Sequence, residues 1–445
     1  MQEKKHRRIS PHADRMGRYI GQLRVQEGIT LKQLSGGLCE HSYLDKIENG
    51  ERQAGKLLMD AFFQRLGKPV NLFGRILNHK EFVKWTQRQE IISHLRVGNT
   101  EKARECAQNY HIDKSCVLDR QFLAIVEIDC LALAGAPARE LLPLVTKTLL
   151  LTQPDFGRVP GDKLLLSQNE ERLLFSHWQL RRELEGSAVA AGKYSTLAHY
   201  LKHPHCERQE RVQLLVPWDE PGYVYCINQV IRSRRALLGF SQEDLSDDAC
   251  GVRSVSRIEN EGRKLQRKNR KRLLQKVNLS GERYDCEIIS ERYEDCLLSG
   301  ELNRAVNNGN LGESCRLLDT LRDRLPDLPT NRQYILKTEA AIMGLYPEDH
   351  PDRSSVSAQR RLLEDALHLT LPLDVEKISS WPAGILSINE IRVLMMLAFC
   401  YKQEGEMDKN LAILFYMKRC LETAGTDPAY YADIYAQLVA MLPAH

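Results

Sequence analysis

Arg253 and Arg257 lie four residues apart in the run VRSVSRI (252–258). On a helix that spacing puts both guanidiniums on one face, with Val255 and Ile258 on the other. Such a helix buries its apolar side and offers two arginines outward, and a guanidinium so placed can bond a guanine edge bidentately. The surrounding segment, 245–260, reads LSDDACGVRSVSRIEN: a short helix, a tight turn, a second helix. A second segment of the same build, 34–49, reads LSGGLCEHSYLDKIEN. In a helix-turn-helix the second helix lies in the major groove with its N-terminal residues at base edges. The reaching residues are then His41, Ser42, Tyr43 and Lys46 in the first segment, and Val252, Arg253, Ser254 and Arg257 in the second. Leu44, Ile47, Val255 and Ile258 pack inward. Asn49 and Arg52, with Asn260 and Arg263, stand where the backbone leaves the groove and can bind phosphate. Gln242, at the start of the first motif helix of the second segment, is another such position. Double-stranded DNA is the expected partner.

Other reactive side chains are sparser. The twelve cysteines are scattered singly, with no C-x-x-C pair. Cys106, Cys130, Cys315 and Cys400 fall inside helical apolar patterns, where a thiol behaves as a small hydrophobe. His203, His205 and Cys206 could hold zinc with one more donor, but a structural site normally shows paired spacing. No phosphate-binding glycine loop, nucleophile elbow or metalloprotease helix motif occurs. The chain is therefore expected to be no enzyme and to need no cofactor or metal.

Each half also places S-x-N-E before an apolar helix, at 167–170 and 387–390. The plain reading is a capping box. It accounts for the serine and the glutamate and leaves Asn169 with Arg172, and Asn389 with Arg392, as matched pairs three apart. An amide and a guanidinium on one face could clamp the backbone and carboxylate of an extended peptide; an exposed helix start is the competing reading. Phe175, Trp178, Phe399 and Tyr401 are expected in the core.

Charge is distributed unevenly. Residues 1–80 carry 15 Lys or Arg against 8 Asp or Glu, and residues 226–283 carry 14 against 7, whereas the whole 445-residue chain is only +4. Two basic modules on an acidic scaffold are the footprint of a nucleic-acid binder. The longest apolar stretch, 393–401, is too short to span a bilayer, and no apolar segment follows the basic residues near the N-terminus. A cytoplasmic protein without membrane contact is expected.

Self-similarity organises these features. A shift of 211 brings Gly28 onto Gly239, Leu34 onto Leu245, Cys39 onto Cys250, residues 47–49 onto 258–260 and Gly98-Asn99 onto Gly309-Asn310. The offset then grows to 212 at Arg120 and Arg332, 218 at Thr152 and Thr370, and 220 at Asn169 and Asn389. The chain reads as a tandem duplication, joined near 216–222, where two prolines and a glycine interrupt helix. The expected fold is all-α: two helix-turn-helix domains (1–78 and 226–288), each followed by a tetratricopeptide-like helical-hairpin solenoid (79–215 and 289–445). No convincing strand run appears.

Both motif segments resemble the XRE-type helix-turn-helix. The first is also similar to the peptide-sensing regulators of the RRNPP group (Rgg- and PlcR-like), whose usual run is close to L-S-x-G-[IL]-C-S-x-S-Y-L-S-K-I-E-N. Runs such as LTQPDF (151–156) and LSINEIRVL (386–394) extend that likeness. The resemblance implies transcriptional control, a tetratricopeptide sensor for a short linear peptide, and commonly a dimer. The chain departs from the group in having Asp45 for the usual serine, Glu40 nearby, and Leu31 for glutamine. The second copy lacks the Gly-Ile-Cys run, and two modules stand where one is usual. One polypeptide is thus expected to act either as an intramolecular pseudo-dimer or as a homodimer. An adaptor, whose solenoids bind protein and whose helix-turn-helix units only assist assembly, is the alternative.

Overall fold

The computed structural model describes residues 15–70, 73–113, 116–158, 164–185, 224–262, 265–346, 355–424 and 436. Helices dominate, as expected from the apolar periodicity. The chain forms two compact units, residues 1–70 with 80–220, and 71–79 with 221–445.

In the first unit α1 (Arg15–Gln26), α2 (Leu31–Ser35), α3 (His41–Glu48) and α4 (Lys56–Arg65) come first. They are followed by α5 (His79–Arg96), α6 (Thr100–Gln108), α7 (Val117–Leu133), α8 (Ala138–Leu150) and α9 (Gln168–Glu185). The second unit opens with α10 (Ile227–Leu237), α11 (Gln242–Ser246), α12 (Val252–Glu261) and α13 (Arg267–Lys276). Then come α14 (Tyr293–Asn307), α15 (Leu311–Arg324), α16 (Pro329–Met343) and α17 (Val356–His368). A 3-10 turn (Val375–Ser380) precedes α18 (Ile388–Gln403) and α19 (Met407–Ala424).

Local chemistry recurs at shifted positions. Asn99 caps α6 by accepting from Lys102 N, and Asn310 caps α15 by accepting from Glu313 N, both at 3.2 Å. The residue before each, Gly98 or Gly309, has φ near +70° (74° and 70°), the left-handed conformation that reverses the chain between paired helices. Gln121 donates to Thr152 Oγ1 at 2.6 Å, and Gln333 to Thr370 Oγ1 at 2.8 Å. Each buried amide thus locks the helix of one hairpin to the loop after the next.

Three short strands join the helices, where the sequence shows no convincing strand run. A three-stranded sheet of order β2-β1-β3 is formed by β1 (Gly74–Leu77), β2 (Val224–Cys226) and β3 (Tyr284–Asp285). These runs of two to four residues carry no readable periodicity, and their partners lie far off in sequence. β1 is the middle strand: parallel to β2 with Ile76 opposite Tyr225, antiparallel to β3 with Gly74 opposite Asp285. Residues 73–79 thus group with the second unit. Ile76 joins Ile231, Leu245, Val255, Ile258 and Leu273 in the core of the second motif, and Phe73 packs edge-on against Tyr284 at 5.4 Å. Gly74 and Asp285 are also equivalent under the 211-residue shift, so β1 and β3 pair at equivalent positions.

Candidate nucleic-acid interface

The first motif is built from local signals. Thr30 accepts from Gln33 N at 3.2 Å, and Gln33 Oε1 accepts from Thr30 N at 2.8 Å, a reciprocal cap that starts α2. The turn follows at Gly36-Gly37, where Gly37 has φ +70° and a Cβ would lie 2.1 Å from Thr152 O, so only glycine fits. In α3, Leu44 and Ile47 are buried, while His41, Ser42 and Lys46 are exposed and Tyr43 is half-buried. Arg24 grips Glu48 through Nε and Nη2, both at 2.7 Å, and fixes α3 against α1. Asn49 does not extend outward: its amide folds back on Asp45 O at 2.9 Å and Asp45 Oδ1 at 3.2 Å. Arg52 is exposed just beyond.

The second motif repeats the plan with different surface chemistry. Ser241 and Asp244 cap α11 reciprocally, at 3.0 and 2.7 Å. Arg235 grips Glu259 at 2.8 and 3.1 Å, equivalent to Arg24 and Glu48. The turn is Asp247-Asp248, and Asp248 takes the left-handed conformation (φ 54°) without being glycine. Arg272 Nη1 donates to Asp248 O at 2.5 Å and Lys276 Nζ to Asp244 O at 3.1 Å, steadying that turn. On α12, Val255 and Ile258 are buried, Val252, Arg253, Arg257 and Asn260 are exposed, and Ser254 is half-buried. Gln242 is half-buried and committed to Glu259 Oε2 at 2.8 Å. Asn260 lies inside α12, which runs on to Glu261. Arg263 falls outside the described residues, as do His203, His205 and Cys206.

Neither capping glutamate is a simple helix start. Glu170 accepts from Ser167 N at 2.6 Å, and Glu390 from Ser387 N at 2.7 Å. Both carboxylates are also buried ion pairs, invisible in the sequence pattern. Arg65 Nη2 meets Glu170 Oε1 at 2.6 Å, and Arg234 Nη1 meets Glu390 Oε2 at 2.6 Å. Arg65 also donates to Leu34 O, Gly36 O and Thr152 O at 3.0, 2.7 and 2.8 Å. One guanidinium therefore holds the turn between α2 and α3, the loop after α8 and the start of α9.

The matched amide–guanidinium pairs diverge between units. Asn389 is 1% exposed and gives its amide to Glu287 O at 2.7 Å, while Arg392 pairs with Glu287 Oε1 at 2.6 Å. Lys337, also buried, meets Glu287 Oε2 at 3.1 Å. Burial pushes the Glu287 carboxyl up, but Lys337, Arg392 and Asn303 outweigh it and hold it below its ordinary value. Burial in turn lowers Lys337. In the first unit Asn169 and Arg172 are half-buried. Asn169 Oδ1 is enclosed without a protein hydrogen bond beside a cavity of about 40 Å³ that also borders Asp60, Gln64 and Arg88. Tyr401 is buried as expected and Phe175 stacks on Trp178 at 5.8 Å, but Phe399 is 57% exposed. Its place on an otherwise apolar helix hides that outward direction.

No protein-family model and no curated relative matches this chain. Among solved structures, Bacillus thuringiensis PlcR in complex with the peptide PapR7 and DNA aligns over 95% of this chain and 99% of that one. The identity is 11% and the TM-score 0.20. Among the described residues no helix is long and apolar enough to cross a membrane.

Proposed function

We propose that the protein is a sequence-specific DNA-binding transcriptional regulator with two unlike readers, α3 and α12, gated by a short peptide bound to its helical repeats. The observation that carries this reading is α12. Arg253 and Arg257 stand exposed one turn apart on a helix anchored by Val255 and Ile258, and α13 follows with six basic residues in ten. Arginine on the exposed face of a second motif helix suits guanine, and basic residues beside it suit phosphate. The four reaching side chains differ at every position between α3 and α12, so the two half-sites differ in sequence. Asn169 and Arg172 are the residues offered to a peptide in the first unit.

One observation favours the adaptor reading. Exposed acids, Glu40 on the first motif and Asp247 with Asp248 on the second, stand close to the surface that would meet phosphate. A salt titration of the full chain on DNA from its own promoter region separates the two. The regulator gives a steep negative slope of log K against log salt with preference for one sequence; the adaptor gives neither.

A further inference from the structure

Glu90 and His94 stand four residues apart on α5, so their side chains project from one face a single turn apart. The reversal at Gly98-Asn99 brings α6 back beside them and sets Cys106 opposite. One ligand atom from each of the three, carboxylate oxygen, imidazole nitrogen and thiol sulfur, lies within 4.8 Å of the other two. Tetrahedral zinc, with bonds of about 2.0–2.3 Å, spaces its ligands about 3.5 Å apart. Side-chain rotation alone covers that difference.

The counterpart hairpin shows that the fold does not ask for these residues. Shifted by 211, Glu90, His94 and Cys106 become Glu301, Ala305 and Leu317, of which Ala305 and Leu317 are buried apolar packing (8% and 2% exposed). The hairpin closes in the second unit with a methyl and an isobutyl group where the first carries an imidazole and a thiol. His94 and Cys106 are half-buried and Glu90 exposed, so a metal could enter and keep a water as fourth ligand.

We propose that Glu90, His94 and Cys106 form a zinc site that clips α5 to α6 in the first unit alone. Thiolate, imidazole and carboxylate together suit Zn²⁺, and exclude the hard cations that want oxygen only. The site is independent of the DNA-binding reading.

The test uses the reduced full-length protein and Co²⁺ as a spectroscopic stand-in for Zn²⁺. The wild type is expected to develop tetrahedral cobalt bands and one thiolate-to-cobalt charge-transfer band, both bleached by one equivalent of Zn²⁺. His94→Ala and Cys106→Leu, the residues that the second unit already accommodates there, should keep wild-type circular dichroism. They should weaken binding at least tenfold, and Cys106→Ser should lose the charge-transfer band. Wild-type bands in these variants, or no band in the wild type, would overturn the proposal.

Discussion

Arg234 and Glu390 form an ion pair from which water is wholly excluded, 2.6 Å between Nη1 and Oε2, joining α10 to the start of α18. Glu170, the counterpart of Glu390, has the same kind of partner but takes it from elsewhere, Arg65 on α4. At the place equivalent to Arg234 the first unit has Leu23, which is buried; at the place equivalent to Arg65 the second has Lys276. A buried carboxylate demands a cation, and each half meets that demand from a different helix.

Removing one member of the pair should therefore be worse than removing both. Arg234→Leu is expected to destabilise the second unit by about 3 kcal/mol, because Glu390 keeps its charge in a dry site. Adding Glu390→Gln should restore more than half of that loss. Denaturant melts of the two variants check the order; a double variant no more stable than the single one contradicts it.

Arg253→Ala is expected to cost about 1–3 kcal/mol of DNA affinity and to relax base preference at one position. Lys268→Ala, in the basic helix that follows, should weaken all sequences alike and reduce the salt slope by about one. Fluorescence anisotropy against a set of single-base operator variants distinguishes these patterns. Wild-type selectivity in Arg253→Ala would mean that α12 is turned away from the bases.

Asp45 sets a carboxylate among the exposed side chains of α3 and also holds the Asn49 amide. Asp45→Ser in the full chain should bind DNA several-fold more tightly at low salt, both by losing repulsion and by loosening Asn49 toward phosphate. Unchanged affinity across salt concentrations would show that α3 does not face DNA.

Asp285 gives a pH dependence with a definite sign. Burial pushes its carboxyl up to about 7, although Ile388 N donates to it at 2.8 Å. The folded chain thus holds a proton up to about pH 7 that the unfolded chain releases near its ordinary value of 3.8. Between those values this group makes stability fall as pH rises. Asp285→Asn keeps an oxygen for Ile388 and removes the titration. Its melting temperature should come nearest to wild type at about pH 4 and exceed it by most at pH 8; equal differences at both would refute the assignment.

What the sequence reveals is what neighbours in sequence decide. Leu44 with Ile47 and Val255 with Ile258 act within one helical turn, so the buried faces of α3 and α12 are readable. The hairpin turns were readable from Gly98 and Gly309 for the same reason. Long-range pairing was not. Arg65 meets a glutamate 105 residues away and Arg234 one 156 away, and nothing near Asn389 or Arg392 announces that Glu287 will engage both. Nothing in the sequence around Cys106 announces Glu90 and His94, which lie within 4.8 Å of it and come from the helix before.

The middle strand of the sheet has a consequence for how the protein is made. β1 leaves the ribosome about 150 residues before β2 and about 210 before β3. At roughly 5–20 residues per second the wait for the second partner is on the order of 10–40 s. Throughout that interval a growing chain carries a short apolar strand with both edges unsatisfied, an invitation to pair with a neighbour on the same message. A gene cut near residues 216–222 would make the condition permanent in one product and leave the other with two flanking strands and nothing between them. Fused expression of the two halves is thus built into the pairing of Gly74 with Asp285.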